Sequence, residues 1–292
     1  MPTEAEIQYV ANLARVLNVP AQEVERHLSL KPFCDPARSA YLLDIAQILA
    51  FLPPSPARLL DLGCGSGWTS EIFARSGYDV LGLDVAPDMI QLARRRTTEA
   101  LALSFEVADY EGSLSFGKFD AVVIYDALHH AENEAGVIAN AFRSLKEGGV
   151  FISIEPGLGH STTENTRDVV AKFGTTEKDM PYERQAALLH EAGFSSVRQF
   201  LRLSQLMLES VTSEEGRSRQ QAHLQALCEA TQHGLTSVVV GVKSGDGTGN
   251  PPTRQPQRDR DPADGQGRTI GRAADRESAA PPAFWGWWRK LR

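Results

Sequence analysis

Arg58–Trp68 reads RLLDLGCGSGW: a short apolar run with one acidic residue, Asp61, then glycines at 63, 65 and 67. The run reads as a strand, the glycines as a tight turn, and Trp68 as the start of a helix. Glycine permits positive φ and brings the backbone close to a ligand, whose polar groups then meet the free N–H groups of the helix start. The plain alternative is a sharp connection with no ligand. Three spaced glycines beside two acidic strand residues, Asp61 and Asp84, argue against it.

Outward from this stretch, short apolar strands alternate with helices. DVLGLD is followed by a helix from Pro87, then come SFEVAD and FDAVVIYD, a helix from about Asn133 to Lys146, and GVFISIE. Continuously apolar strands separated by amphipathic helices predict a parallel sheet covered on both faces. Pro87 suits a first helical turn. Gly148-Gly149 suits the close of a helix whose buried face is Val137, Ile138, Ala141, Phe142 and Leu145. A helix over Tyr182–Ala192, a strand over Ser196–Leu203 and a last strand over Thr236–Val242 follow, with a largely helical insertion over Ser204–His233.

Upstream, Ile7, Val10, Leu13, Ala14 and Leu17 recur at helical spacing, Pro20 opens a second helix through Leu28, and a third spans Arg38–Phe51 before Pro53-Pro54. The expected organisation is a helical extension or lid over 1–52, an α/β domain over 53–243, and a polar, disordered tail over 244–292. That tail ends in PPAFWGWWRKLR, where Phe284, Trp285, Trp287 and Trp288 stand beside Arg289, Lys290 and Arg292. Aromatics next to cations suit a peripheral membrane surface or a partner groove.

The chain carries a net charge of −7, and its last 49 residues hold nine basic and six acidic groups, which puts the remainder near −10. That balance repels a phosphate backbone and disfavours a nucleic-acid partner. Cys34, Cys64 and Cys228 are odd in number and lie in no metal-ligand spacing, so neither a disulfide framework nor a bound metal is expected. The start MPTEAEIQYV lacks a signal architecture, which makes the cytoplasm the expected location.

In a dinucleotide fingerprint the third glycine would fall one position later, where this chain has Trp68, so a pyrophosphate ligand is disfavoured. Asp84 ends the second strand 23 residues beyond Asp61, where a carboxylate accepts ribose hydroxyls. Asp109 ends the third strand. Acidic strand ends around a glycine loop suit a ligand with hydroxyls, an amino group and positive charge, and S-adenosylmethionine (SAM) has all three.

Over Arg58–Glu155 the sequence resembles class I SAM-dependent methyltransferases, particularly their type 11 and type 12 small-molecule branches, including the histidines of YDALHH and the Leu145–Gly149 turn. The resemblance implies a Rossmann-like sheet of seven strands with helices on both faces and an antiparallel last strand. It further implies that Asp61, Gly63, Gly65 and Gly67 hold the methionine part, Asp84 the ribose and Asp109 the adenine amino group. Cys64, through its backbone, and Val85, Tyr110 and Tyr125 join the expected cofactor-binding set.

Methyl transfer from a sulfonium is an in-line displacement, so the protein positions the acceptor, excludes water and supplies a base where a proton must leave. Acceptor-side candidates are Tyr125, Asp126, His129 and His130 after the fourth strand, and Glu155 and His160 after the fifth. The expected base is His130 or His129. Asp126, three and four residues earlier, would orient the ring if the chain turns helically there. Where DNA amino-methylating enzymes resemble one another in a proline-proline-aromatic motif, this chain has Tyr125-Asp126-Ala127-Leu128, and an active-site cysteine of the cytosine C5 type is missing. A small metabolite, lipid-linked intermediate or sugar is the expected acceptor, with O-methylation first. Two alternatives stay open: a SAM-binding protein that does not turn over, and a nicotinamide-dependent oxidoreductase.

Overall fold

The structure is a computed structural model that describes residues 3–206 and 237–245. The insertion expected beyond residue 206, Thr236 at the start of the last strand, and most of the 244–292 tail lie outside the described residues.

Seven strands form one sheet: β1 Arg58–Leu62, β2 Asp79–Asp84, β3 Leu103–Val107, β4 Phe119–Tyr125, β5 Leu145–Ile154, β6 Ser196–Leu201 and β7 Ser237–Val242. Their order is β3-β2-β1-β4-β5-β7-β6, and β7 is antiparallel to both neighbours. The central strands are buried nearly throughout, whereas β3 and β6, at the two edges, are half open. Successive residues feed opposite faces, as the pleat requires. On β4, Ala121, Val123 and Tyr125 enter one core, while Val122 and Ile124 enter the other.

The first core is completed by α4 (Arg38–Phe51), α5 (Trp68–Arg75) and α6 (Pro87–Arg94), through Ile45, Ile48, Phe73 and Ile90. The second is closed by α7 (Glu134–Ser144) and α9 (Tyr182–Ala192), through Val137, Ile138, Ala141 and Leu189. Each of the Ile, Phe, Val and Leu side chains among these, removed from water, contributes roughly 1.5–3 kcal/mol. The expected fold class is therefore observed: a sheet with helices on both faces.

The boundary between α7 and β5 differs from the sequence reading. The helix ends at Ser144, and Leu145 is already extended, at φ −76° and ψ 142°, paired with Phe119 of β4. The next β4–β5 pair is Ala121 with Val150, so residues 146–149 bulge out of the ladder. Gly148, at φ +76°, turns that bulge and does not cap the helix.

Ahead of the sheet, α1 (Glu4–Ile7), α2 (Tyr9–Leu17) and α3 (Ala21–Leu30) form the helical extension, and α8 (Glu164–Phe173) lies between β5 and α9. Among the described residues, no helix is long and apolar enough to cross a membrane. The chain runs β1, β2, β3 outward and then returns to place β4 beside β1. That reversal opens a crevice at the C-terminal ends of these two strands, the place where open α/β sheets bind ligands.

Candidate functional site

The loop after β1 enters the crevice with Gly63, Gly65 and Gly67 all at positive φ. A Cβ on Gly63 would stand 2.5 Å from the Cβ of Ala127, which follows β4, so only glycine lets the two strand ends approach this closely. The N–H groups of Gly63 and Cys64 donate to the carbonyl of Leu83, at 2.8 and 2.9 Å. Asp84 continues the clamp: Oδ2 accepts from Gly65 N at 2.8 Å and Oδ1 from Ala86 N at 2.9 Å. Burial raises the Asp84 carboxyl above its ordinary range against the pull of these amides, and Asp88 adds to the rise.

Two adjoining hollows flank this loop. One is lined by Glu6, Asp84, Val85, Asp109, Tyr110 and His130, the other by Lys31, Tyr41, Cys64, Trp68, Thr69 and Tyr125. Tyr9, Gly63, Gly65, Met89 and Asp126 line both, so the hollows form one cleft. Most of the expected cofactor set meets here. Tyr110 donates its hydroxyl to the Ala127 carbonyl at 3.0 Å, and Tyr125 donates to Asp44 Oδ2 at 2.8 Å. Asp44 is in turn held by Arg202 at 3.0 and 2.5 Å, so both tyrosines present rings, not hydroxyls, to a ligand.

Asp61, expected at the methionine part, is not among the residues that line the cleft. Its Oδ2 accepts from Thr69 and Ser70 hydroxyls, at 2.7 and 2.6 Å, and it is 1% exposed beneath the start of α5. It shapes the turn and helix start without lining the cleft. Burial pushes its carboxyl up to about 6 despite the two hydroxyls, with Asp84 adding to the rise. The folded state therefore keeps a proton that the unfolded chain releases near pH ~4. This group's stabilisation is full below that pH and lost as pH rises to about 6, a span worth about 3 kcal/mol. Thermal unfolding of Asp61→Asn and wild type between pH 4 and 8 checks this. The variant should gain on the wild type up to about pH 6 and then hold its margin; a constant difference refutes the assignment.

After β4 the backbone takes an unusual course. Asp126 sits at φ +54°, uncommon for a residue with a Cβ. Ala127 is at φ −143°, and a 3-10 turn forms only over Leu128–His130. The helical turn thus begins after Asp126, and its carboxylate does not orient either histidine as the sequence suggested. It is exposed to the cleft instead. Partial desolvation within the cleft raises its carboxyl, but the charges of His129 and Arg202 prevail and lower it.

Other groups hold the rings. Glu155, 1% exposed, accepts from Ala127 N and Leu128 N with Oε1, and from His129 N and Nδ1 with Oε2, the last at 2.7 Å. Its oxygens are occupied, so it braces the turn and is not placed to contact an acceptor. His129 is buried. Burial opposes charge on its ring, but the Glu155 hydrogen bond and the carboxylates of Asp126 and Glu177 push it up to about 9. His130 Nδ1 donates to the Thr176 carbonyl at 2.7 Å, which leaves Nε2 with the lone pair. Burial and the charge of His129 lower its basicity below the ordinary histidine value. His160 does not line the cleft; its Nε2 meets Glu177 Oε2 at 2.9 Å.

Sequence reasoning missed the groups that arrive from far away in the chain. The helical extension supplies Glu6, Tyr9 and Lys31 to the cleft, and Thr175 joins from the segment after α8. Glu6 caps the start of α1 and accepts from Thr176 N at 3.2 Å, so the extension is tied to the irregular segment between α8 and α9 that orients His130. Ser66 Oγ donates to Leu28 O at 2.9 Å, and Arg96 reaches the carbonyls of Ser66, Leu28 and Ser29. The extension is thereby fastened over the glycine loop.

Residues 60–153 match a family described as "Methyltransferase domain". The ubiquinone biosynthesis O-methyltransferase of Xanthomonas axonopodis pv. citri (strain 306) is 36% identical over 113 residues, which is 37% of this chain and 47% of that relative. That of Methylobacterium sp. (strain 4-46) is 32% identical over 127 residues, 41% and 51% of the two chains. The chain thus spans about half the length of the curated relatives it matches. Among solved structures, a Haemonchus contortus phosphoethanolamine N-methyltransferase 2 in complex with SAM superposes with a TM-score of 0.52 at 17% identity, covering 70% of this chain and 53% of that one. A SAM-dependent methyltransferase from Mesorhizobium loti gives 0.52 at 19% identity, covering 69% and 98%. At such identities the likeness concerns the fold.

Proposed function

We propose that this chain, which carries a methyltransferase domain on the class I methyltransferase fold, binds SAM in the cleft and transfers its methyl group to a hydroxyl of a small-molecule acceptor. The observation that carries the reading is the acidity of a crevice built on a glycine loop. Asp84, Asp109 and Asp126 line it together with Glu6 and Glu111. Such walls accept hydroxyls, an amino group and a positive sulfonium, and they repel a pyrophosphate.

The residues present fit the cofactor. The Asp84 oxygens accept the backbone N–H groups of Gly65 and Ala86, with that of Val85 also against the carboxylate, and their remaining lone pairs suit ribose hydroxyls. Asp109 suits the adenine amino group, and Lys31, in the other hollow, suits the methionine carboxylate. Bound SAM supplies an electrophilic methyl group. His130, its tautomer fixed by Thr176, takes the hydroxyl proton on Nε2, and the helical extension excludes water from the cleft.

The acceptor class rests on the residues around His130 and on the O-methyltransferase names of the partial relatives. Incubation with methyl-labelled SAM and a fractionated extract of the source cells tests it. Label should appear in a small-molecule fraction through a methyl–oxygen bond. Label confined to protein or nucleic acid contradicts the acceptor class, and SAM bound without any transfer identifies a non-catalytic binder. The aromatic and basic segment 284–292 supports, on sequence alone, a peripheral membrane or partner contact.

A further inference from the structure

We propose that His129, His160 and Glu177 form a binding site for a divalent transition-metal ion, zinc being the best match, with Nε2 of both histidines and a carboxylate oxygen as ligands. The ligand atoms of the three residues all lie within 4.8 Å of one another. A tetrahedron with bonds of about 2.1 Å has edges of about 3.4 Å. Here His129 Nε2 lies 3.5 Å from Glu177 Oε2, and His160 Nε2 lies 2.9 Å from the same oxygen. The ion takes the place of the Nε2 protons that His129 and His160 turn toward Glu177, both of which pass to solvent, and slight opening of the His160–Glu177 pair completes the geometry. Two histidines and a glutamate are a zinc set that leaves a fourth position for water or a ligand.

An independent observation is the support behind His129. Its other nitrogen, Nδ1, is 2.7 Å from buried Glu155, the carboxylate–histidine pairing that orients metal-binding imidazoles. The remaining ligands are held as well: Asp179 accepts from Gly159 N and Ser161 N, at 2.8 and 2.7 Å, and so pins the turn carrying His160 beside Glu177. His160 is partly exposed and provides an entry path, while His129 is buried. The ring of His130, which lines the cleft, is centred 4.0 Å from that of His129, so the ion would sit one side chain from the cleft. The site does not depend on the methyl-transfer reading.

The test uses the full chain, stripped with a chelator and titrated with Co²⁺, whose visible absorption reports its ligands; Zn²⁺ then competes. About one Co²⁺ should bind per chain, and Zn²⁺ should displace it. His160→Gln and Glu177→Gln, checked for native circular dichroism, should each weaken binding about tenfold or more, and Glu155→Gln should weaken it through His129. His190→Gln, on the exposed side of α9, should leave it unchanged. Absence of saturable binding by the wild type, or equal binding by the His160 and Glu177 variants, overturns the proposal.

Discussion

Replacing His130 by alanine is expected to lower the turnover number about 100-fold or more, the usual worth of a positioned general base. The expectation rests on geometry. The Thr176 carbonyl takes the Nδ1 proton, so Nε2 is the nitrogen able to accept another, and the residue lines the cleft. Because His130 borders the cofactor hollow, SAM affinity is measured by calorimetry in the same variant and should stay close to wild type. His130→Gln, which keeps a polar side chain of similar reach, should be equally slow. A fall of less than about tenfold at saturating SAM removes the base assignment, and positioning alone then supplies the rate.

Asp84→Ala is expected to weaken SAM binding about 100-fold. Two hydrogen bonds from ribose hydroxyls to a charged acceptor account for about 3 kcal/mol. The variant also frees the amides of Gly65 and Ala86, so the glycine loop loses its anchor. Asp84→Asn separates the two effects: one amide oxygen still accepts, the loop stays partly tied, and the ribose contact is weakened. Calorimetry on both variants, with thermal unfolding as a check on the fold, reads the outcome. Unchanged SAM affinity in Asp84→Ala would show that the ribose is held elsewhere.

The sheet was legible because its signals are local. RLLDL, DVLGLD and the helices Arg38–Phe51 and Tyr182–Ala192 are bounded by prolines, glycines and charged residues, and their limits were read to the residue. The α7–β5 boundary was misread because Leu145 continues the helical spacing of Ile138 and Ala141. Its place in the sheet is set by pairing with Phe119, which no local pattern reveals. In the site, the glycine loop and the acids Asp84 and Asp109 were visible as strand-end chemistry. The hydroxyls of Thr69 and Ser70 against Asp61 were not legible, because a strand-end carboxylate reads the same whether it faces a ligand or a neighbouring helix start.

The histidine pair shows the limit most plainly. Spacing pointed to Asp126 as the partner, but the positive φ at that residue turns the chain, and the true partners are Glu155, Thr176 and Glu177. These lie 26, 46 and 48 residues from the histidine each one meets. Lys31, Glu6 and Tyr9 reach the cleft over a similar gap in the fold, from helices whose sequence announces only an amphipathic face.

In the proposed function the crevice between β1 and β4 is a SAM site and not a dinucleotide site. Calorimetric titration of the chain with SAM, and separately with NAD, tests it most directly. Saturable binding of SAM, competition by S-adenosylhomocysteine, and no heat from NAD at the same concentrations are expected. Comparable binding of NAD, or none of SAM, would contradict it.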